Sequence, residues 1–280
     1  MTAFWRAAPF VFLILWSGGY GFAKLGLQHA EPMTLLALRY GLAVVVLVPL
    51  ALLLRPQWPV GARHWAAVAV TGFLIQGVYF GLAYLAMKQG MNAGTTAIIM
   101  ALQPALVAAA SPLIGGKRGG LLLWSGLGIG FCGVLLAVWS EGSLGPSPIG
   151  AALLALGALA GISGATLFEK ALGRKTDPVA GGLVQYAVGF TLVAPVAVAT
   201  ESLSIDWQPG LIVALVWLVL GNSLISISLY IAMIARGDAT RISALMYLVP
   251  PLAMALAWAL LDEPLRPLAL AGLALSAVGV

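Results

Sequence analysis

Apolar residues run through this chain in long blocks, broken by short clusters of charged residues, prolines and glycines. Ten such blocks are read: Pro9 to Lys24, Pro32 to Leu54, Arg63 to Met87, Asn92 to Ile114, Gly120 to Trp139, Pro148 to Leu172, Pro178 to Thr200, Gly210 to Ala235, Thr240 to Leu261 and Pro267 to Val280. At 1.5 Å of rise per residue, about 20 apolar residues cross the ~30 Å hydrocarbon core of a bilayer, so each block predicts a transmembrane helix. The expected fold is all-α and integral to the membrane. The last block is short for a crossing and points to a tail beyond Val280. Arg6 followed by apolar residues has the outline of a signal peptide, but no small-residue cleavage pattern follows and the block has a partner later in the chain, so it is kept as the first span.

Composition agrees with lipid as the solvent, since 61% of the 280 residues are hydrophobic and 8% charged, against roughly 45–50% and 25% in soluble domains. The net charge of +5 is split among short connections and forms no single stripe, so nucleic acid is not an expected partner. Topology explains it better. With the N-terminus inside, the inner connections carry Arg6, Arg55, Arg63, Lys117, Arg118, Lys170, Arg174, Lys175, Arg236 and Arg241, and the outer ones only Lys24, Lys88 and Arg266. Retention of positive charge then puts both termini in the cytoplasm. Cys132 stands alone inside the fifth block, which leaves no disulfide and no thiolate metal site, and it reads as a small packing residue. Neither a cofactor nor a metal is expected.

Sliding the chain by 146 positions matches Ser17-Gly18 to Ser163-Gly164, Phe22 to Phe168, Lys24 to Lys170, Pro32 to Pro178, Tyr40 to Tyr186, Pro49 to Pro195, Tyr84 to Tyr230, Met100 to Met246 and Pro104 to Pro250. Composition bias would pair alanines and leucines; it would not keep pairing prolines, tyrosines and lysines. Two repeats follow, 1–140 and 147–280, each of five helices. Five is odd, so the second repeat enters the membrane from the opposite side, and inverted repeats around a central cavity are the architecture of secondary transporters.

With the Glu31-Pro32 and Asp177-Pro178 openings, the Gly237 to Arg241 turn and Leu261-Asp262-Glu263-Pro264 added to that repeat, the whole chain resembles the drug/metabolite transporter superfamily, its ten-helix EamA branch, and within it the YddG-like amino acid exporters. Lys117-Arg118 stand in the first half at the positions equivalent to Glu263-Pro264, a departure confined to a connection. The resemblance implies helices one to four and six to nine around a central cavity, helices five and ten at the periphery, efflux as the direction, amino acids as substrates and a bacterial-type inner membrane.

Polar side chains within the blocks mark where that cavity would lie. Ser17, Tyr20 and Lys24 share a face of the first helix and are echoed by Ser163, Thr166 and Lys170. Tyr20 reads as cavity-lining; the serines either line it or let helices approach, and the lysines either snorkel or bind. Gln76, Tyr79 and Phe80 form a stripe in the third helix, and Gln76 maps onto Asn222 in the eighth, which continues through Ser226. Paired amides offer donors and an acceptor suited to an ammonium and a carboxylate, or else bond helix to helix. Asn92, Thr96 and Gln103 make a ladder in the fourth helix, with Ser243 and Tyr247 in the ninth. Pro104 and Pro250 break their helices at matching depths, as hinges or as static shaping. Arg39, the one cation well inside a block, is a candidate for a substrate carboxylate, for pairing with outer acids, or for snorkelling.

The expected substrate-binding set is therefore Tyr20, Gln76, Tyr79, Phe80, Thr96, Gln103, Asn222, Ser226, Ser243 and Tyr247, with Arg39 as a charge contact and no catalytic residue. No block carries a carboxylate in its middle, Glu169 near an inner end coming closest, so proton coupling finds no support. An intramembrane enzyme would need a buried serine–histidine pair or clustered acids, and a channel a filter-like ring; neither pattern is found. Expected partners are a small-molecule substrate, amino acids of broad range, and membrane lipid. Small residues Gly126, Gly130 and Gly133, with Gly272, Ser276 and Gly279, suit packing within a monomer or a homodimer interface.

Overall fold

The computed structural model describes residues 3–115, 120–141, 148–172, 176–229, 233 and 248–279, and every named element in them is a helix. Eight helices are long and apolar enough to cross a membrane, and two shorter apolar ones follow. In chain order the spans are span 1 (Ala3–Gly26), span 2 (Pro32–Leu54), span 3 (Ala62–Lys88), span 4 (Ala93–Ile114), span 5 (Leu121–Glu141), span 6 (Pro148–Leu172), span 7 (Pro178–Thr200), span 8 (Pro209–Leu229), the described part of span 9 (Val249–Leu261) and span 10 (Pro267–Gly279). Residues 230–232 and 234–247 lie outside the described residues, and with them Ser243 and Tyr247.

Helix starts follow local chemistry. Pro32, Pro178 and Pro209 occupy first-turn positions, where the missing N–H would have had no intrahelical partner. Asp177 accepts from the backbone N–H groups of Val179 and Ala180 and caps span 7. Its repeat counterpart Glu31 makes no such bond to span 2.

Packing repeats the internal symmetry. Span 1 lies against spans 8 and 9, and span 6 correspondingly against spans 3 and 4; span 2 pairs with 7, 4 with 9, and 5 with 10. Exchanging the halves maps this set of neighbours onto itself, as a pseudo-twofold demands. The chain is thus a multi-pass membrane protein of two inverted five-helix repeats. Side chains such as Leu53, Leu121 and Val278 cover its exterior with exposed hydrocarbon, while Phe12, Leu35, Tyr40, Ile98 and Leu218 are sealed inside.

Gly130 and Gly133 of span 5 pack on Gly272 and Ser276 of span 10 within the chain. A Cβ built at Gly133 would lie 2.5 Å from the Gly272 carbonyl oxygen, and the Ser276 hydroxyl donates to the Gly130 carbonyl. Only glycine fits at this crossing. Gly133→Val is expected to destabilise the protein by about 1–3 kcal/mol through overpacking, read as a lowered Tm in detergent; an unchanged Tm would show that spans 5 and 10 separate freely.

Span 4 breaks where Pro104 requires. Its helix stops at Met100 and restarts at Gln103, with Leu102 at φ −74°, ψ −10° between. Leu248, the repeat equivalent, precedes Pro250 at φ −86°, ψ −9°. The Leu106 N–H bonds to the Leu102 carbonyl and the Leu252 N–H to the Leu248 carbonyl, so the helical segments that begin at Gln103 and Val249 start in the same way.

Candidate functional site

Spans 3 and 8 are not regular helices. Phe73–Tyr79 and Trp217–Ser226 are wound as π-helix, and the 146-residue offset carries the first segment onto positions 219–225, inside the second. Gln76 and Asn222 sit at matching places within them. A π segment widens the turn and re-aims its side chains, and such segments concentrate at functional sites. Close helix approach supports both. A Cβ on Gly72 would fall 2.9 Å from the Gln185 Cα, and one on Gly19 would fall 2.7 Å from the Asn222 amide nitrogen.

Between the two π segments lies Arg39. The side chain is buried, with 1% of the residue exposed. Its Nη1 donates to the Tyr84 hydroxyl at 3.1 Å, and its Nη2 to Asn222 Oδ1 at 3.2 Å and to Ser223 Oγ at 3.1 Å. The guanidinium carbon stands 4.2 Å from the centroid of the Phe80 ring, a cation–π contact worth more once water is excluded. Arg39 therefore neither snorkels nor pairs with Glu31: all its partners are uncharged, and no carboxylate reaches it among the described residues. Asn222 and Ser223 are adjacent, which on an α-helix turns them about 100° apart; the wider π turn accompanies their convergence on one nitrogen.

The surroundings are polar and incompletely satisfied. Asn222 Nδ2 donates to the Leu15 and Trp16 carbonyls of span 1, Tyr40 donates to the Gln76 carbonyl at 2.8 Å, and the Tyr20 and Tyr79 hydroxyls meet at 3.4 Å. Three atoms on the enclosing spans have no hydrogen-bond partner: Arg39 Nε, Gln76 Oε1 and Ser17 Oγ. Buried polar atoms left unpaired cost about 1–3 kcal/mol each.

Of the residues singled out from the sequence, the structure gathers Arg39, Phe80 and Asn222 at this centre, with Tyr79 packed on Phe80 and Tyr20 bonded to Tyr79, while Gln76 stands beside Tyr40 and Gly189. Thr96 instead donates to the Asn92 carbonyl of its own helix, Gln103 bonds Thr166 of span 6 at 2.9 Å, and Ser226 turns to the Phe12 carbonyl. Tyr84 and Ser223 join the centre unforeseen.

On the face where span 1 ends, the halves are tied together. Glu31 accepts from the Ser202 N–H and hydroxyl, while Glu201 accepts from the Met33 and Thr34 N–H groups and the Thr34 hydroxyl. Span 2 of the first half is thus capped by a carboxylate of the second. Lys24 makes an ion pair with Glu263 at 3.0 Å, and Glu263 also receives the Ala93 N–H at the start of span 4. Lys24 is accordingly a latch, not a snorkelling side chain. His29 meets Asp206 at 3.1 Å, and Ala30 bridges to Ile205. Glu201→Ala is expected to cost about 1–2 kcal/mol as a lost cap, measured by unfolding in detergent; a change below a few tenths would remove Glu201 from the closure.

Comparison with known proteins places this geometry. A model of the EamA-like transporter family matches residues 5–139 and 149–280. The chain is similar to the uncharacterized inner membrane transporter YedA of Escherichia coli strain K12, with 27% identity over 92% of this chain and 83% of that one. It is also similar to a probable amino-acid metabolite efflux pump of Salmonella typhimurium, at 25% identity over 96% of this chain and 90% of that one. A solved crystal structure superposes with a TM-score of 0.70 at 19% identity, covering 97% of this chain and 94% of the other, a likeness of fold.

Proposed function

The chain belongs to the EamA-like transporter family, and from that premise we propose that it exports amino acids or closely related metabolites, of broad range and including aromatic and neutral ones, by alternating access. The observation that carries this reading is the buried polar centre in which Arg39 of span 2 meets Asn222 and Ser223 of span 8, beside repeat-equivalent π segments that carry the equivalent amides Gln76 and Asn222. Sites at a repeat interface, built from interrupted helices, are where secondary transporters hold substrate. The name of the Salmonella relative supports the substrate class. Aromatic neighbours Tyr20, Tyr79 and Phe80 suit variable side chains, since few fixed charges demand any one of them.

The membrane is a bacterial-type inner membrane, with the Arg55 connection and both termini on the cytoplasmic side. Ties between the halves then close the outer face. Cysteines at the exposed positions Val60 and Ser204 are expected to label from opposite sides; labelling from one side would make the repeats parallel. An intramembrane enzyme is less well supported, because His29 and His64 lie at span edges on Asp206 and Thr176, away from the buried serines.

Flux into proteoliposomes, with a panel of amino acids and with and without a pH gradient, tests the function. Saturable flux for several amino acids is expected, with no requirement for the gradient. No flux of any would overturn the substrate class and leave the fold intact.

A further inference from the structure

We propose that Arg39 is a displaceable clasp: it binds the carboxylate of the substrate through its Nε–Nη2 edge and, in doing so, gives up its own tie to the second half of the protein. This rests on the transport reading above and names the chemical group that the central site requires.

The argument starts from charge. A guanidinium stays protonated at any physiological pH, and a buried ion is tolerated only when paired or richly hydrogen-bonded. Arg39 is 1% exposed, yet its partners are a phenol, an amide, a hydroxyl and an aromatic face. Each is a neutral acceptor. Hydrogen bonds to a carboxylate are shorter and roughly twice as strong, so an anionic oxygen that reaches this centre outcompetes the residents.

Geometry selects the edge. Side-on recognition of a carboxylate uses the parallel N–H groups of Nε and Nη2. The Nε here has no partner, and Nη2 is held only by Asn222 Oδ1 and Ser223 Oγ. Half of the fork is vacant, and the other half carries neutral acceptors that a carboxylate replaces. Those two residues lie on span 8, whereas Arg39 lies on span 2, so the exchange removes a tie that runs between the repeats. Ligand binding and loosening of the halves become one event. An amine, amide or ester at the same place lacks the charge to drive the exchange.

Alanine, leucine and phenylalanine, each beside its carboxamide and its decarboxylated amine, are the probes, in proteoliposomes of the wild type, Arg39→Lys and Arg39→Gln. The expected result is acid flux at least about tenfold above amide and amine in the wild type, a ratio reduced but still above one in Arg39→Lys, and a ratio near one in Arg39→Gln. A cysteine at Ser17 gives a second readout, with acids raising its maleimide labelling in the wild-type background and amides leaving it unchanged. Equal wild-type flux of acid and amide overturns the clasp alone, and needs no variant to fold. So does an Arg39→Gln protein that keeps the wild-type ratio. Silence toward every acid, amide and amine overturns the transport reading and the clasp with it.

Discussion

Asn222→Leu combined with Ser223→Ala is expected to lower stability by about 3–5 kcal/mol, the range for stripping partners from a buried charge, whereas Arg39→Met costs less than half as much. Both acceptors of Nη2 disappear in the double variant while the charge stays in place, 1% exposed and with Tyr84 as its remaining hydrogen-bond partner. Arg39→Met removes the charge itself and leaves a side chain of similar reach on the Phe80 ring. The hydroxyls of Tyr84 and Ser223 then rotate to other acceptors, and Asn222 keeps its bonds to the Leu15 and Trp16 carbonyls. Adding Arg39→Met to the double variant should therefore restore part of the lost stability, a sign of coupling that additive effects cannot produce. Unfolding of the purified protein in mixed micelles, followed by Trp fluorescence, measures all three. Were Arg39→Met the most damaging of the set, the cost at this centre would lie in packing and not in an uncompensated ion.

The same residues show how far the sequence could be read. Span limits were legible because hydrocarbon forbids charge, and charge clusters mark where the chain leaves it. The repeat was legible because rare residue types recur at one offset, and the offset pairs Gln76 with Asn222, which the structure finds at matching places in the two π segments. Arg39 was legible as an exception, but not its environment: length alone lets an arginine snorkel, and only burial with neutral partners decides against that. The π segments left no mark, since neither Phe73–Tyr79 nor Trp217–Ser226 contains proline. Ser223 stayed hidden for that reason, one position off the stripe that an α-helical period would draw. Glu31 departs from its repeat counterpart. Its counterpart Asp177 caps its own helix, but the longer Glu31 side chain reaches Ser202, and Glu201 supplies the cap that span 2 lacks. Thr96 and Gln103 matched the spacing of a lining ladder, but each found a helix partner nearby, because spacing gives the face and not what occupies it.

Alanine at both Pro104 and Pro250 is expected to slow transport about tenfold, a rise of roughly 1.4 kcal/mol in the barrier, while substrate affinity stays within about twofold. Leu102 and Leu248 are repeat equivalents with closely similar backbone angles, and each stands two residues before a proline, which has no N–H to give to a helix. An alanine returns that donor. One backbone bond is worth about 0.5–1.5 kcal/mol, so two of them favour straight helices by an amount sufficient for the slowing. Straightening also works against the geometry on either side of the break, where Gly94 packs on Met254 so closely that a Cβ would lie 2.5 Å from its Cγ. Among the described residues, the centre built by Arg39, Tyr84, Asn222 and Ser223 belongs to spans 2, 3 and 8, which is why binding should be spared. Single-turnover efflux and equilibrium binding, measured on the same preparation, separate the two quantities. If rate and affinity fall together, the breaks shape the site; if neither changes, they shape only the bundle, and the swing between open faces must be sought in spans 3 and 8.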